Sequence, residues 1–282
     1  MQHGGRAWWL VLALATSCSV EPAVLRGAQE VALIHAIQQT LLASVEAEKS
    51  AVLATTDEES QAMAEESRRE TATIAKLREA LRPLIHADQR ADETAKLAAF
   101  DSAWDEFVKV DQRLLALAVA NTNLKAARLA AREGSAALDG FTNALTALQK
   151  KATDPEVIRT LSGALVAAWR MQALLLVHIP TPGAAEMTGL EQRMDAANAE
   201  VEAALAQLRA GDLATATEFT AAGATWSAYA KIRAEVIRLS RQNTNVFSFD
   251  VSVHEKRYAT KQCLGALAEL LALLEAHAKP AR

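Results

Sequence analysis

The chain is poor in cysteine, proline and aromatic side chains: two Cys, six Pro and 5% Phe, Trp and Tyr among 282 residues. Each scarcity closes off a class of protein. Cys18 lies in what reads as an N-terminal targeting segment, so Cys263 is left alone and a disulfide-stapled fold is excluded. Cys263 falls where its repeat counterpart is Phe141, and is expected to behave as a small buried apolar group rather than a reactive thiol. No proline occurs in 84–154 or 183–279. With abundant Ala and Leu, that absence predicts an all-α fold. A net charge of −4 and a pI near 5.9 supply no basic field, which excludes nucleic acid as an expected partner.

Catalytic signatures are missing too. The sequence has no G-x-G-x-x-G, P-loop, G-x-S-x-G, H-E-x-x-H or C-x-x-C-H. None of the six His has Glu three residues before it, the spacing a di-iron bundle site requires. No catalytic residue, metal ligand or cofactor is therefore expected, and the protein is read as non-catalytic. The most apolar later stretch, 161–179, is interrupted by Arg170 and Gln172, which argues against a membrane span.

What is present begins with an export signal. Arg6 precedes a ten-residue apolar run, 7–16, followed by the small residues Ser17 and Cys18. "LATSC" (14–18) resembles a bacterial lipoprotein box in which Cys18 is lipidated; simple cleavage nearby is the alternative. Either way residues 1–29 read as signal and linker, and the chain is expected to be exported, periplasmic or membrane-anchored.

The remainder repeats itself. Shifting the sequence by 122 residues superposes Trp104 on Trp226, Lys109 on Lys231, Leu117 on Leu239, Glu133 on Glu255 and Leu145 on Leu267. Asn121-Thr122-Asn123 falls on Asn243-Thr244-Asn245 without a gap. Within each unit apolar residues recur at steps of three and four. Helices are predicted at 31–56 and 58–85, with Asp57 as an N-cap, then on either side of the first Asn-Thr-Asn; the second unit repeats them at 155–178, 186–210, 214–242 and 245–277. Asp154-Pro155 marks a helix start. The expected architecture is two tandem up-down-up-down four-helix bundles, residues 30–150 and 151–282, joined near 150–154.

"EAEKSAVLATTDEE" (46–59), "FDSAWDEF" (100–107) and a helix ending at Asn121 before a long final helix resemble the four-helix-bundle sensor domain of methyl-accepting chemotaxis proteins, once per repeat. The resemblance implies an extracytoplasmic domain that binds a small solute or a solute-binding partner and passes a signal inward. Family members that grip an amino-acid carboxylate use arginines on the first helix, and 31–56 contains none. Nothing after residue 150 resembles the family's signalling coil, because a second bundle begins instead.

Candidate functional residues cluster at the repeated tripeptide. The stripe Phe107, Val110, Leu114, Leu117 steps onto Asn121, and its counterpart onto Asn243. As structural elements, these asparagines would accept left-handed backbone while Thr and the second Asn cap the next helix. As a binding site, His178, Arg241, Asn243 and Asn245, with Asn121 and Asn123 in the other turn, would converge on a small polar ligand. Trp104, Trp169 and Trp226 are expected to fill core volume. Lys256 and Thr260 interrupt an apolar stripe running Val246, Phe249, Val253, Cys263; Lys256 either borders a polar cavity or, the commoner outcome, snorkels outward. The duplication invites pairing of the chain with itself. In that pseudo-dimer the two Asn-Thr-Asn turns lie side by side at one tip, the first helices form the seam, and "ALLLV" (173–177) is buried there; end-to-end stacking is the competing arrangement, and a homodimer remains open. The expected function is sensor-like binding of an unknown solute or envelope protein, with a scaffolding lipoprotein as the alternative.

Overall fold

The computed structural model describes residues 22–87 and 89–278, so the segment read as a signal, with Cys18, lies outside the described residues. Among the described residues 92% are helical and no strand occurs. In chain order the helices are α1 (Pro22–Leu53), α2 (Asp57–Ala87), α3 (Ala91–Ala120), α4 (Thr122–Leu129), α5 (Ser135–Lys151), α6 (Pro155–His178), α7 (Ala184–Arg209), α8 (Thr217–Ser240), α9 (Thr244–Val251) and α10 (Arg257–Ala278). A π-helical turn, Ala130–Gly134, joins α4 to α5, and another, Ser252–Lys256, joins α9 to α10. The two π turns are themselves one repeat length apart.

The helix ends follow local chemistry. The Asp154 carboxylate accepts the Glu156 N–H at 2.9 Å with Pro155 in the first turn, as the sequence predicts. At α2 the cap is Thr56 rather than Asp57: its hydroxyl accepts the Glu59 N–H at 3.0 Å, while the Glu59 carboxylate accepts the Thr55 N–H at 3.0 Å. This is a capping box displaced by one residue, and it leaves Asp57 free to pair with Arg128 at 3.6 Å.

All-α bundles are present, but their membership is not the one that the repeat predicts. A single residue, Asn121, separates α3 from α4, fewer than the two to five that fold an antiparallel helix pair. The chain therefore runs on instead of turning back. α3 packs on α9 and α10, while α4 and α5 pack on α8. One bundle consists of α1, α2, α3 and α9–α10, and the other of α6, α7, α8 and α4–α5. The two halves 30–150 and 151–282 have exchanged their fourth helices, and the boundary between bundles falls at the Asn-Thr-Asn turns rather than at 150–154.

The cores record the exchange. In the first, Ile37, Leu41, Ile74, Leu81 and Phe107 close on Cys263, Leu267 and Leu270 from the far end of the chain. In the second, Leu138, Phe141 and Leu145 from the first half meet Met171, Val201, Trp226 and Tyr229. Trp104 stacks on Phe107 at 5.3 Å and Trp226 on Tyr229 at 5.4 Å, so the repeat preserves one aromatic pair per bundle. At Gly140, α5 comes so close to α8 that a Cβ would sit 2.9 Å from the Thr225 methyl.

Other expectations need correction. Trp169 is half-exposed, as are Leu176 and Val177 of the "ALLLV" stretch. The reason is the exchange: α1 and α6 lie in different bundles and do not form a seam. α6 is long and apolar enough to cross a membrane by length and composition, yet its other face packs on α7 and α5.

Because the chain passes from α3 in one bundle to α4 in the other without turning back, the bundles stand end to end. Small-angle scattering should therefore give a maximum dimension well beyond the ~45 Å of one 30-residue helix. A compact particle of about that dimension would contradict the exchanged arrangement.

Candidate functional site

The six residues singled out at the repeated tripeptide do come together, at the middle of the molecule. Asn121 (φ 50°, ψ 37°) and Asn243 (φ 55°, ψ 32°) both adopt the left-handed conformation that Asn tolerates better than most side chains. The helix starts that follow are not capped by their own turns. The Thr122 N–H donates to the Thr244 hydroxyl at 3.1 Å and the Thr244 N–H to the Thr122 hydroxyl at 3.2 Å. One residue on, the Asn123 and Asn245 N–H groups each donate to the other's side-chain carbonyl at 3.1 Å. The amide of Asn123 reaches Asn243 Oδ1 at 2.7 Å, and that of Asn245 reaches Asn121 Oδ1 at 2.9 Å. Each turn supplies the cap that the other requires.

The symmetry breaks at the rim of this joint. The longer turn between α6 and α7 offers carbonyls that the short turn after α1 does not: Asn243 donates to Thr181 O at 2.9 Å and Asn123 to Ile179 O at 2.6 Å. Asn121 Nδ2 is buried without a partner. His178, fully buried, lies 2.7 Å from Ser240 Oγ and 2.8 Å from Glu191 Oε1. Arg241 clasps the same carboxylate at 2.6 and 2.7 Å and holds Glu191 below the usual carboxylate range, with His178 adding to the effect. The polar groups of this cluster are therefore spent mainly on one another, which makes it a joint between bundles.

A second polar cluster escaped the sequence reading. Along α9, the π turn and the start of α10, every fourth residue from Thr244 is buried and polar, Thr244, Ser248, Ser252, Lys256 and Thr260, with the apolar Val251 and Ala259 buried beside them. Phe249 is half-exposed and Val253 largely so. The expected apolar stripe was out of phase because a π turn inserts a residue and rotates the face, and because the buried face here carries no hydrophobic signature. The hint was Lys256 and Thr260 themselves. Lys256 does not snorkel outward: it is 1% exposed, ion-paired with buried Asp111 of α3, and its Nζ lies 3.3 Å from the Phe107 ring centroid. The corresponding positions of the other bundle are Ala126, Ala130, Gly134 and Leu138, so only one bundle has the seam.

The seam opens on a groove of 840 Å³ between α1 and α10, within the usual size of small-molecule pockets. Glu48, Ser252, Lys256 and Thr260 line it together with Leu42, Val45 and Leu264. Glu48 is fully buried and neither carboxylate oxygen has a hydrogen-bond partner. Burial pushes its carboxyl above the ordinary range, against the Ser252 hydroxyl and Lys256, which favour the ionised form. Burial lowers Lys256 from its usual value, opposed by Asp111. Cys263, beneath the groove, is a buried free cysteine whose thiol burial pushes to about 12, so it is an inert core group as expected. The site offers hydrogen bonding and charge around an apolar cleft, and its thiol is held in the unreactive form.

Comparison with protein-family models, with characterised proteins and with solved structures finds no match.

The reciprocal caps should be energetically coupled. Thr122→Val and Thr244→Val are each expected to destabilise by ~1 kcal/mol as lost caps, while the double variant should depart from additivity by at least ~0.5 kcal/mol in denaturant unfolding. Strict additivity would show that the turns do not act as one unit. For Glu48 the raised folded value means that its neutral form contributes stability present below the usual 4.5 and lost as pH rises through the folded value. Glu48→Gln, neutral throughout, should flatten that decline and melt no lower than the native chain at pH ~8. Parallel melting profiles for the two proteins would rule this out.

Proposed function

We propose that this chain is a non-catalytic, sensor-like binding protein of an extracytoplasmic compartment, and that it takes a small solute in its first bundle. One observation carries the reading: a buried polar seam, with Lys256–Asp111 and the fully buried Glu48, opens on a groove in one bundle and is replaced by Ala, Gly and Leu in the other. A duplicated framework gives both bundles the same reason to pack. It gives only one of them a reason to bury Glu and Lys, groups that are rarely fully buried without a function or a strong partner. The likeness of 46–59 and 100–107 to chemoreceptor sensor bundles supports the same reading, because both segments belong to the groove-bearing bundle. The envelope-scaffold alternative is favoured by the half-exposed Trp169, Leu176 and Val177 on α6, which offer a protein partner an apolar face.

The test is a thermal-shift screen against organic acids, amino acids and haem, since a ligand that binds only the native state must raise its melting temperature. At least one organic acid is expected to stabilise the native chain by roughly 2–3 kcal/mol at a hundredfold excess over its Kd. A flat response across the panel would leave the scaffold.

A further inference from the structure

The charges around the groove select among solutes. Several basic side chains of the first bundle are ion-paired among the described residues, Arg78 and Arg82 with Asp101, Arg90 with Glu93, Lys96 with Glu269, and Arg113 with Glu255, whereas Arg68, Arg69 and Lys76 on α2 are not. Lys49, Arg257 and Lys261, all exposed and all lining the groove, have no ion-pair partner among the described residues. Below them Lys256 is ion-paired with Asp111, which lies behind the lining, and among the described residues Glu48 is the one carboxyl in the lining itself. The mouth is therefore positive. The walls between mouth and floor are apolar: Leu42 and Val253 are exposed, and Val45 and Leu264 are partly so. Exposed apolar walls beside a positive mouth match an occupant that is apolar along its length and anionic at one end.

The floor adds an independent observation. Glu48 has both oxygens buried with no hydrogen-bond partner, in a side chain that faces the groove. Its neighbours Ser252 and Thr260 have hydroxyls in the same lining, and Thr260 already donates to Lys256 O at 2.8 Å. A neutral carboxyl is one O–H donor with acceptor capacity left over. The remaining lining geometry is open: a Cβ added at Gly265 would meet nothing within 4 Å.

Resting on the reading of this groove as a solute site, we infer that its ligand is an amphipathic organic anion. Its carboxylate or similar head lies against Lys49, Arg257 and Lys261, and its apolar body lies along Leu42, Val45 and Leu264. A cationic amphiphile of the same length meets the same walls but like charge at the mouth. A small polar amino acid leaves the walls uncovered.

Titration calorimetry at low salt with decanoate, decyltrimethylammonium and decanol, each below its micelle concentration, tests this on the full chain. Decanoate is expected to bind at one site, tighter than decanol, with decyltrimethylammonium weakest, and salt should weaken decanoate alone. Combining Lys49→Ala, Arg257→Ala and Lys261→Ala, all at exposed positions, should cost decanoate about tenfold, the sum of three exposed charge contacts, and leave decanol unchanged. Gly265→Phe should fill the cleft and abolish both, with the melting temperature as the control for folding. If decanoate and decanol bind equally and the triple variant changes nothing, the anion class is wrong while the groove stands. If no amphiphile binds but organic acids or amino acids still stabilise the chain in a Gly265→Phe-sensitive way, the groove is again upheld and the amphipathic class is overturned. Binding to none of these, or only to anionic phospholipid vesicles, removes the solute site and the inference together.

Discussion

Four backbone N–H groups, those of Thr122, Asn123, Thr244 and Asn245, start two helices in the interior of the protein. Helix starts leave donors unsatisfied, and burial removes the water that would otherwise take them. Each turn places its Thr hydroxyl and Asn carbonyl on the other turn's donors, so neither helix start can be buried until both turns are present. The tripeptide occurs twice because its chemistry is complementary to itself. The rest of the architecture follows from this meeting point: α3 and α8 arrive at it, α4 and α9 leave it, and each departing helix completes the bundle of the opposite half.

Duplication and exchange together allow one half of the molecule to change while the other keeps the frame. Both bundles retain the aromatic pair, the π turn and the helix order. The bundle built on α8 fills its interior with Ala130, Gly134 and Leu138, whereas the bundle built on α3 places Ser252, Lys256 and Thr260 at the corresponding places. Buried ion pairs contribute little net stability, and the Lys256–Asp111 pair is no exception to the desolvation it incurs. The leucine-rich ends of the same bundle, Leu267 and Leu270 against Ile74, Leu81 and Phe100, supply the apolar burial that offsets it.

Much of this could be read from the sequence, and the failures have definite causes. The all-α class, the cap at Asp154, the left-handed role of Asn121 and Asn243, and the buried state of Cys263 follow from local patterns that act over one or two turns. The convergence of His178, Arg241 and the asparagines followed from stripes extrapolated along helices. What sequence spacing could not convey was direction through a turn. A one-residue break at Asn121 reads as a hairpin to any rule that counts helices, while its length forbids one. The polar seam was missed because periodicity is a signal of apolar residues, and a face of Thr, Ser and Lys at every fourth position resembles a solvated one. Trp169 and Leu176 were placed in a core by their size, but the exchange leaves their face of α6 without a facing helix.

The exchange also sets an order of assembly. α1, α2 and α3 can form and touch as soon as they are made, but the helix that closes their bundle is the last described one, with Glu93 meeting His277 across 184 residues and Lys96 meeting Glu269 across 173. Contacts so distant in sequence carry a loop-closure cost and slow folding. The second bundle, by contrast, has its fourth helix in hand before α6 is made. During vectorial synthesis the later half can thus close first, and the groove-bearing bundle, with its Glu48 and Lys256, comes into being only when α10 docks.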